Sequence, residues 1–148
     1  MEEMIVKVKK LNDNILIPTY ATDGSACFDL CANSLETDIE VKPHETVMIG
    51  TGLCFEIPKG YVGLVFSRSG ISSKRGLGIV NKVGVIDSDY RGEVNVGLLN
   101  HGTKTQTVLK GERVAQMMIL PLPKVNLIEV DELSETERGT GGFGSTGR

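Results

Sequence analysis

Leu53-Cys54-Phe55-Glu56-Ile57-Pro58-Lys59-Gly60-Tyr61-Val62-Gly63-Leu64-Val65-Phe66 reads as two short extended runs divided by a tight turn. The runs are rich in β-branched and aromatic residues, and Pro58-Lys59-Gly60 places a fixed φ and a permissive glycine between them. The same unit recurs in both directions. Upstream, residues 5–9 alternate, Ile39-Glu40-Val41 stops at Lys42-Pro43, and residues 46–49 follow. Downstream, further runs cover 94–99, 105–109, 114–120 and 125–130. Short strands at regular spacing, divided by Gly, Pro, Asn and Asp, argue an all-β sandwich or barrel. No long amphipathic helix is present, although 69–75 or 30–33 has room for a turn or two of helix.

Composition narrows the function classes. At 148 residues, with 40% apolar and 24% charged residues, the chain has the length of one domain and near-average globular content. A formal charge of −3 supplies no global field for direct nucleic-acid or membrane binding, so an anionic ligand needs local cations or a metal. No apolar run approaches a membrane span, and Met1-Glu2-Glu3 lacks the basic start of a signal peptide. Cys27, Cys31 and Cys54 cannot all pair and form no CxxC, so a reduced, intracellular, cytoplasmic protein is expected. His44 and His101 are the only histidines, and no HxE precedes a CxxC, which argues against a zinc deaminase site. A GxxxxGK[ST] phosphate loop is also absent; the nearest stretch, 70–76, has the wrong spacing.

Gly84-Val85-Ile86-Asp87-Ser88-Asp89-Tyr90-Arg91-Gly92-Glu93-Val94 reads as strand, polar turn, strand: a β-hairpin. Gly92 already meets the backbone need of a turn. Two carboxylates, a Tyr and an Arg are then surplus to folding, which marks a candidate active site. From Asp131 the composition shifts to an acidic run and then to a glycine-rich end with one aromatic, Phe143. A single β domain over 1–130 and a flexible C-terminal arm over 131–148 are expected. Phe143 is costly to leave exposed, and Arg138, Ser145 and Thr146 offer a charge and hydroxyls suited to phosphate.

Five segments, taken in order, resemble the motifs of the homotrimeric dUTP pyrophosphatase (dUTPase) family. They are Pro18-Thr19-Tyr20-Ala21-Thr22-Asp23-Gly24-Ser25-Ala26-Cys27-Phe28-Asp29-Leu30; Arg68-Ser69-Gly70; Asn81 with 84–92; Gly111-Glu112-Arg113-Val114-Ala115-Gln116; and Arg138-Gly139-Thr140-Gly141-Gly142-Phe143-Gly144-Ser145-Thr146-Gly147. The resemblance implies a jelly-roll-like β fold, a homotrimer with shared active sites, and Mg²⁺-dependent hydrolysis of dUTP to dUMP and pyrophosphate. That reaction keeps uracil out of DNA and supplies dUMP for thymidylate synthesis. Cys27 stands where the family usually has Gly, and Ser67 where Pro is common.

The resemblance also implies roles for individual residues. Asp29 holds Mg²⁺ through its water shell, which suits a cation that dehydrates reluctantly. Arg68, Ser69 and Gly70 grip phosphate, and Asp87 is the general base for in-line attack of water on the α-phosphorus, with Gln116 placing that water. Tyr90 presses on the deoxyribose and excludes a 2′-hydroxyl. Asn81, Gly84, Val85, Ile86 and Asn95 read the uracil edge, where cytosine's reversed donors and acceptors would leave groups unpaired. Phe143 stacks on the base as Arg138, Gly144, Ser145 and Thr146 close over the phosphates. Asp89, Arg91 and Glu93 are assigned to turn or subunit contacts, and Arg113 to an ion pair. Two rivals make different predictions. A dCTP deaminase or bifunctional relative needs a catalytic Glu near Gly97, and a non-catalytic nucleotide-binding module predicts binding without turnover.

Overall fold

The computed structural model describes residues 4–147. Its elements in chain order are β1 (Lys7–Lys10), β2 (Phe28–Cys31), β3 (Ile39–Val41), β4 (Thr46–Glu56), β5 (Tyr61–Phe66), α1 (Ser69–Arg75), β6 (Leu77–Ile79), β7 (Val83–Ile86), β8 (Glu93–Asn100), β9 (Gln106–Val108) and β10 (Arg113–Pro121). They form two four-stranded sheets, ordered β1-β4-β8-β6 and β2-β10-β5-β7, and a two-stranded sheet, β3-β9. Every pairing is antiparallel. Leu30, Val65 and Met117 from one four-stranded sheet share a single core with Ile49, Leu53, Phe55 and Leu98 from the other. Period-two burial drives this: in β8, Val94, Val96 and Leu98 are buried and Asn95 faces out. The result is the expected all-β, jelly-roll-like fold.

Four details differ from the sequence reading. The runs at 46–49 and 53–57 are largely one strand, β4, because Gly50-Thr51-Gly52 forms a bulge against β8 rather than a turn. Of 30–33, where the sequence has room for a helical turn, Leu30 and Cys31 belong instead to strand β2, closed on one side by β10, and Ala32 and Asn33 follow it outside any helix. Residues 125–130 form no strand; Val125, Leu127, Ile128 and Val130 are exposed. Alternation needs a partner edge, and nothing within the chain supplies one there. Finally, β7 and β8 do not pair as a hairpin: β7 lies on β5, and β8 on β4 and β6. The six residues from Asp87 to Gly92 are long enough to step from one sheet to the other.

The expected bounds 1–130 and 131–148 begin and end on residues 1–3 and 148, which lie outside the described residues. After Pro121 the described chain carries no strand or helix, and only Gly141 and Gly142 are even half-buried.

Candidate active site

The failed hairpin creates a cavity. β7 is the edge of its sheet, and β8 has β4 on one side of Glu93 to Val96, with β6 joining only at Leu98 to Asn100. Two strand edges therefore face each other unpaired, with backbone donors and acceptors directed at the space between them. The space measures about 210 Å³ and is lined by Asn81, Gly84, Val85, Ile86 and Asn95 together with Met48, Val65, Ile79, Val80, Val96 and Gly97. All five residues expected to read a base thus line one cavity. Gly97 fits by size: an added Cβ would lie 2.7 Å from Val80 Cγ1 and 3.3 Å from Met48 Sδ. A Glu at the position where a deaminase would need one would have to displace the Val80 side chain.

Asp87 and Tyr90 sit on the turn beyond this cavity, and both are exposed. The Tyr90 N–H donates to Asp87 O at 3.2 Å, and Arg91 closes the turn by donating to Ser88 O at 2.7 Å. The Tyr90 hydroxyl donates to Glu93 O at 2.8 Å, which fixes the ring relative to the start of β8.

A second cluster forms where β2, β10 and the entry to α1 meet. Strand register places Asp29 beside Gln116 and Gln116 beside Phe66. The chain then runs through Ser67 and Arg68 into α1. Arg68 Nε donates to Asp29 Oδ1 at 2.7 Å, and Arg113 donates to Asp29 Oδ2 at 3.3 Å. The Gln116 side-chain amide donates to Ser67 O at 2.9 Å, leaving its oxygen available as an acceptor. Ser67, in place of a proline, accepts the Ile79 N–H on its hydroxyl at 2.9 Å. Ser69 and Gly70 are exposed in the first turn of α1, where amide donors lack intrahelical acceptors. Among the described residues no three His, Cys, Asp or Glu side chains gather into a metal cage. Asp29 as a lone carboxylate suits Mg²⁺ held through water, with other oxygens coming from a bound phosphate.

The two clusters are separate within one chain. Asp29, Gln116, Phe66 and Val83 form one row across the sheet, and Asp87 lies four residues beyond Val83. With strands about 4.8 Å apart and a rise of about 3.3 Å per residue, Asp87 and Gln116 are roughly 16 Å apart. Asp87 instead borders an opening of about 690 Å³ that includes Pro58 to Tyr61, Asp89 and Arg91. Arg138, Phe143, Gly144, Ser145 and Thr146 join neither cluster. The Arg138 Nε bond to Gly141 O, at 2.8 Å, is local, and Phe143 is fully exposed with φ 50°.

Arg113, expected in an ion pair, is a second partner of Asp29, and the structure adds a residue that the motifs did not single out. Arg75, half-buried at the end of α1, donates to Gln106 Oε1, Glu112 Oε1 and Thr107 O, joining the helix that carries Ser69 and Gly70 to β9 and the turn before β10. Its proximity to Glu112 is not readable from a separation of 37 residues. Cys27, just before β2, and Cys31, its last residue, are each two positions from Asp29. Burial pushes both thiols up, and the Asp29 charge adds to it.

Comparison with known proteins gives the family. A family model described as dUTPase matches residues 13–147. A deoxyuridine 5′-triphosphate nucleotidohydrolase of Nautilia profundicola is 51% identical over 145 residues, covering 98% of this chain and 100% of the relative. Its counterpart in Hydrogenobaculum is 44% identical, covering 97% of this chain and 99% of the relative. Among solved structures, the dUTPase of Staphylococcus bacteriophage 80alpha with dUPNHPP superposes with a TM-score of 0.88 at 31% identity, covering 97% of this chain and 99% of that one.

Proposed function

This chain belongs to the dUTPase family and hydrolyses dUTP to dUMP and pyrophosphate, and we propose that it reads the uracil between the open edges of β7 and β8. The observation that carries this reading is the cavity lined by Asn81, Gly84, Val85, Ile86 and Asn95. Backbone groups present donors and acceptors in a fixed order, so uracil is matched and cytosine leaves groups unpaired, at about 1–3 kcal/mol each. Tyr90, tethered through its hydroxyl, holds its ring where a ribose 2′-hydroxyl would fall.

Asp87 orients a water and takes its proton as the water oxygen bonds to the α-phosphorus. The bond from that phosphorus to the bridging oxygen breaks, and pyrophosphate leaves with the electron pair. A free Asp is a weak base at neutral pH, so placement contributes more than proton affinity. Gln116, with its amide nitrogen held by Ser67, offers its oxygen to the water. Arg68 and the Ser69 and Gly70 amides take the phosphates. Asp29 would hold Mg²⁺ through water, and the ion would supply charge neutralisation and alignment of the triphosphate. Because about 16 Å separates Asp87 from Gln116 within one chain, one nucleotide needs these groups from different copies, which supports a homotrimer with shared sites. Residues 1–130 act as the β domain, and 131–148 as an arm whose Phe143 stacks on the base while Arg138, Gly144, Ser145 and Thr146 cover the phosphates. Closure excludes water and completes the site.

The test is pyrophosphate release with Mg²⁺ from dUTP, UTP, dTTP and dCTP in parallel. Release from dUTP alone is expected; equal release from UTP and dTTP would sink the assignment of the cavity and Tyr90. Asp87→Asn should bind dUTP and lose at least about a hundredfold in turnover, the low end for general-base catalysis. Surviving turnover would remove Asp87 from the role of base.

A further inference from the structure

The residue that sets the position of both nucleoside contacts is one the motifs leave to the turn. β4 and β8 pair at Gly50 with Asn95 and at Cys54 with Glu93, so three residues of β4 oppose Val94 alone. This bulge takes the Gly52 N–H out of the ladder, although Gly52 is buried. A buried amide needs an acceptor. The Glu93 carboxylate supplies it: Oε1 accepts the Gly52 N–H at 2.7 Å and also accepts the Ser34 hydroxyl. Position 52 has φ 69°, and an added Cβ would lie 2.1 Å from Ile15 Cδ1, so the bulge itself has little freedom to shift.

The other end of Glu93 faces the nucleoside site. Its carbonyl oxygen accepts the Tyr90 hydroxyl at 2.8 Å and the Asn95 side-chain amide at 3.2 Å. One residue therefore links a fixed bulge in β4 to the Tyr90 ring and to an amide on the cavity wall. We propose that Glu93 is a positioning residue for sugar selectivity: its carboxylate, anchored in the β4 bulge, holds its carbonyl where Tyr90 must be tethered to exclude a ribose. This rests on the reading of Tyr90 as the sugar gate.

The experiment compares kcat/KM for dUTP and UTP in the full-length protein and in Tyr90→Ala, Tyr90→Phe, Glu93→Ala and Glu93→Gln. Glu93→Ala is expected to lower the dUTP-to-UTP ratio by about three- to tenfold, the scale of one hydrogen bond's net contribution. Glu93→Gln keeps an acceptor oxygen for Gly52 and Ser34 and should rescue the ratio to within about twofold, given the small net worth of a neutral bond. Tyr90→Phe keeps the ring, removes the tether and should lower the ratio as Glu93→Ala does. Combining the two should add nothing further, because both act through one contact. A purely structural Glu93 would lower both activities together and leave the ratio unchanged, and that result overturns the inference. If Glu93→Ala does not fold, an unchanged ratio in Tyr90→Phe overturns it equally. An unchanged ratio in Tyr90→Ala refutes the sugar gate itself, whereas a collapsed ratio there beside an unchanged one in Glu93→Ala refutes the Glu93 role alone.

Discussion

Arg75→Ala is the substitution through which the coupling of α1, the helix that carries Ser69 and Gly70, to the rest of the fold is most directly measured. The guanidinium donates to Gln106 Oε1 at 3.2 Å, to Glu112 Oε1 and to Thr107 O. The Arg75 and Glu112 side chains are 28% and 22% exposed, so the pair is shielded without being dry. A hydrogen bond to a charged group contributes about 1.5–3 kcal/mol, and partial solvation moves it to the lower end. Glu112 keeps the Leu109 N–H at 2.9 Å after the change and is not left wholly unpaired. The expected loss is then about 1.5–2 kcal/mol, or roughly 3–8 °C in melting temperature for a domain of this size. α1 also loses its tie to β9, so Ser69 and Gly70 are held less firmly and KM for dUTP should rise more than kcat falls. Arg75→Lys retains charge but cannot reach three acceptors with a planar fork, and should fall between the two. Thermal melting followed by circular dichroism and steady-state pyrophosphate release supply the two readouts. A melting temperature within about 1 °C of the parent, less than the shift expected from even half a kcal/mol, would refute the reasoning.

Asn100 is fully buried and makes three side-chain hydrogen bonds, to Val41 O, to Lys104 O and from Gly102 N–H. Asn100→Ala should therefore cost about 2–4 kcal/mol by chemical denaturation while leaving the dUTP-to-UTP ratio unchanged. Phe143→Ala should lower kcat/KM for dUTP about ten- to a hundredfold, from the loss of base stacking. Melting should not change, since the ring is fully exposed. Cys27 and Cys31 have their thiols pushed up by burial and then by Asp29, so the neutral form is favoured in the folded chain. Their contribution to stability is complete below the ordinary thiol range and fades as pH rises through the raised values. The parent should lose melting temperature faster than the Cys27→Ser/Cys31→Ser double variant on going alkaline, and parallel curves would contradict this.

How much of the fold could be read from sequence depended on whether local punctuation and pairing agreed. Tyr61–Phe66 and Ser69–Arg75 were legible because Pro58-Lys59-Gly60 and Gly76 stop the chain on either side. Gly50-Thr51-Gly52 carries the same punctuation inside one strand, and only the paired strand reveals it as a bulge. Residues 125–130 show the converse, with strand alternation and no edge to receive it. Periodicity reports which residues can be extended, not which sheet they join. For the same reason 84–94 looked like a hairpin, although β7 and β8 belong to different sheets.

The candidate site was legible as chemistry and not as placement. The motifs name kinds of group, and only register shows that Asp29 and Gln116 are neighbours while Asp87 lies across the sheet. The charge arithmetic at Asp29 depends on that placement. One carboxylate faces Arg68 and Arg113, so the cluster carries one net positive charge in a chain whose formal total is −3. Local cations, not the overall field, must then draw in a triphosphate. Both Asp29 oxygens already accept from an arginine, so the carboxylate can also hold a hydrated cation only if the arginines turn toward the phosphates. Arg68, at 24% side-chain exposure, is the more confined of the two, and Arg113, at 60%, the freer. Arg113 is accordingly the one expected to release Asp29 first as the nucleotide binds, with Arg68 remaining at the base of the phosphate grip.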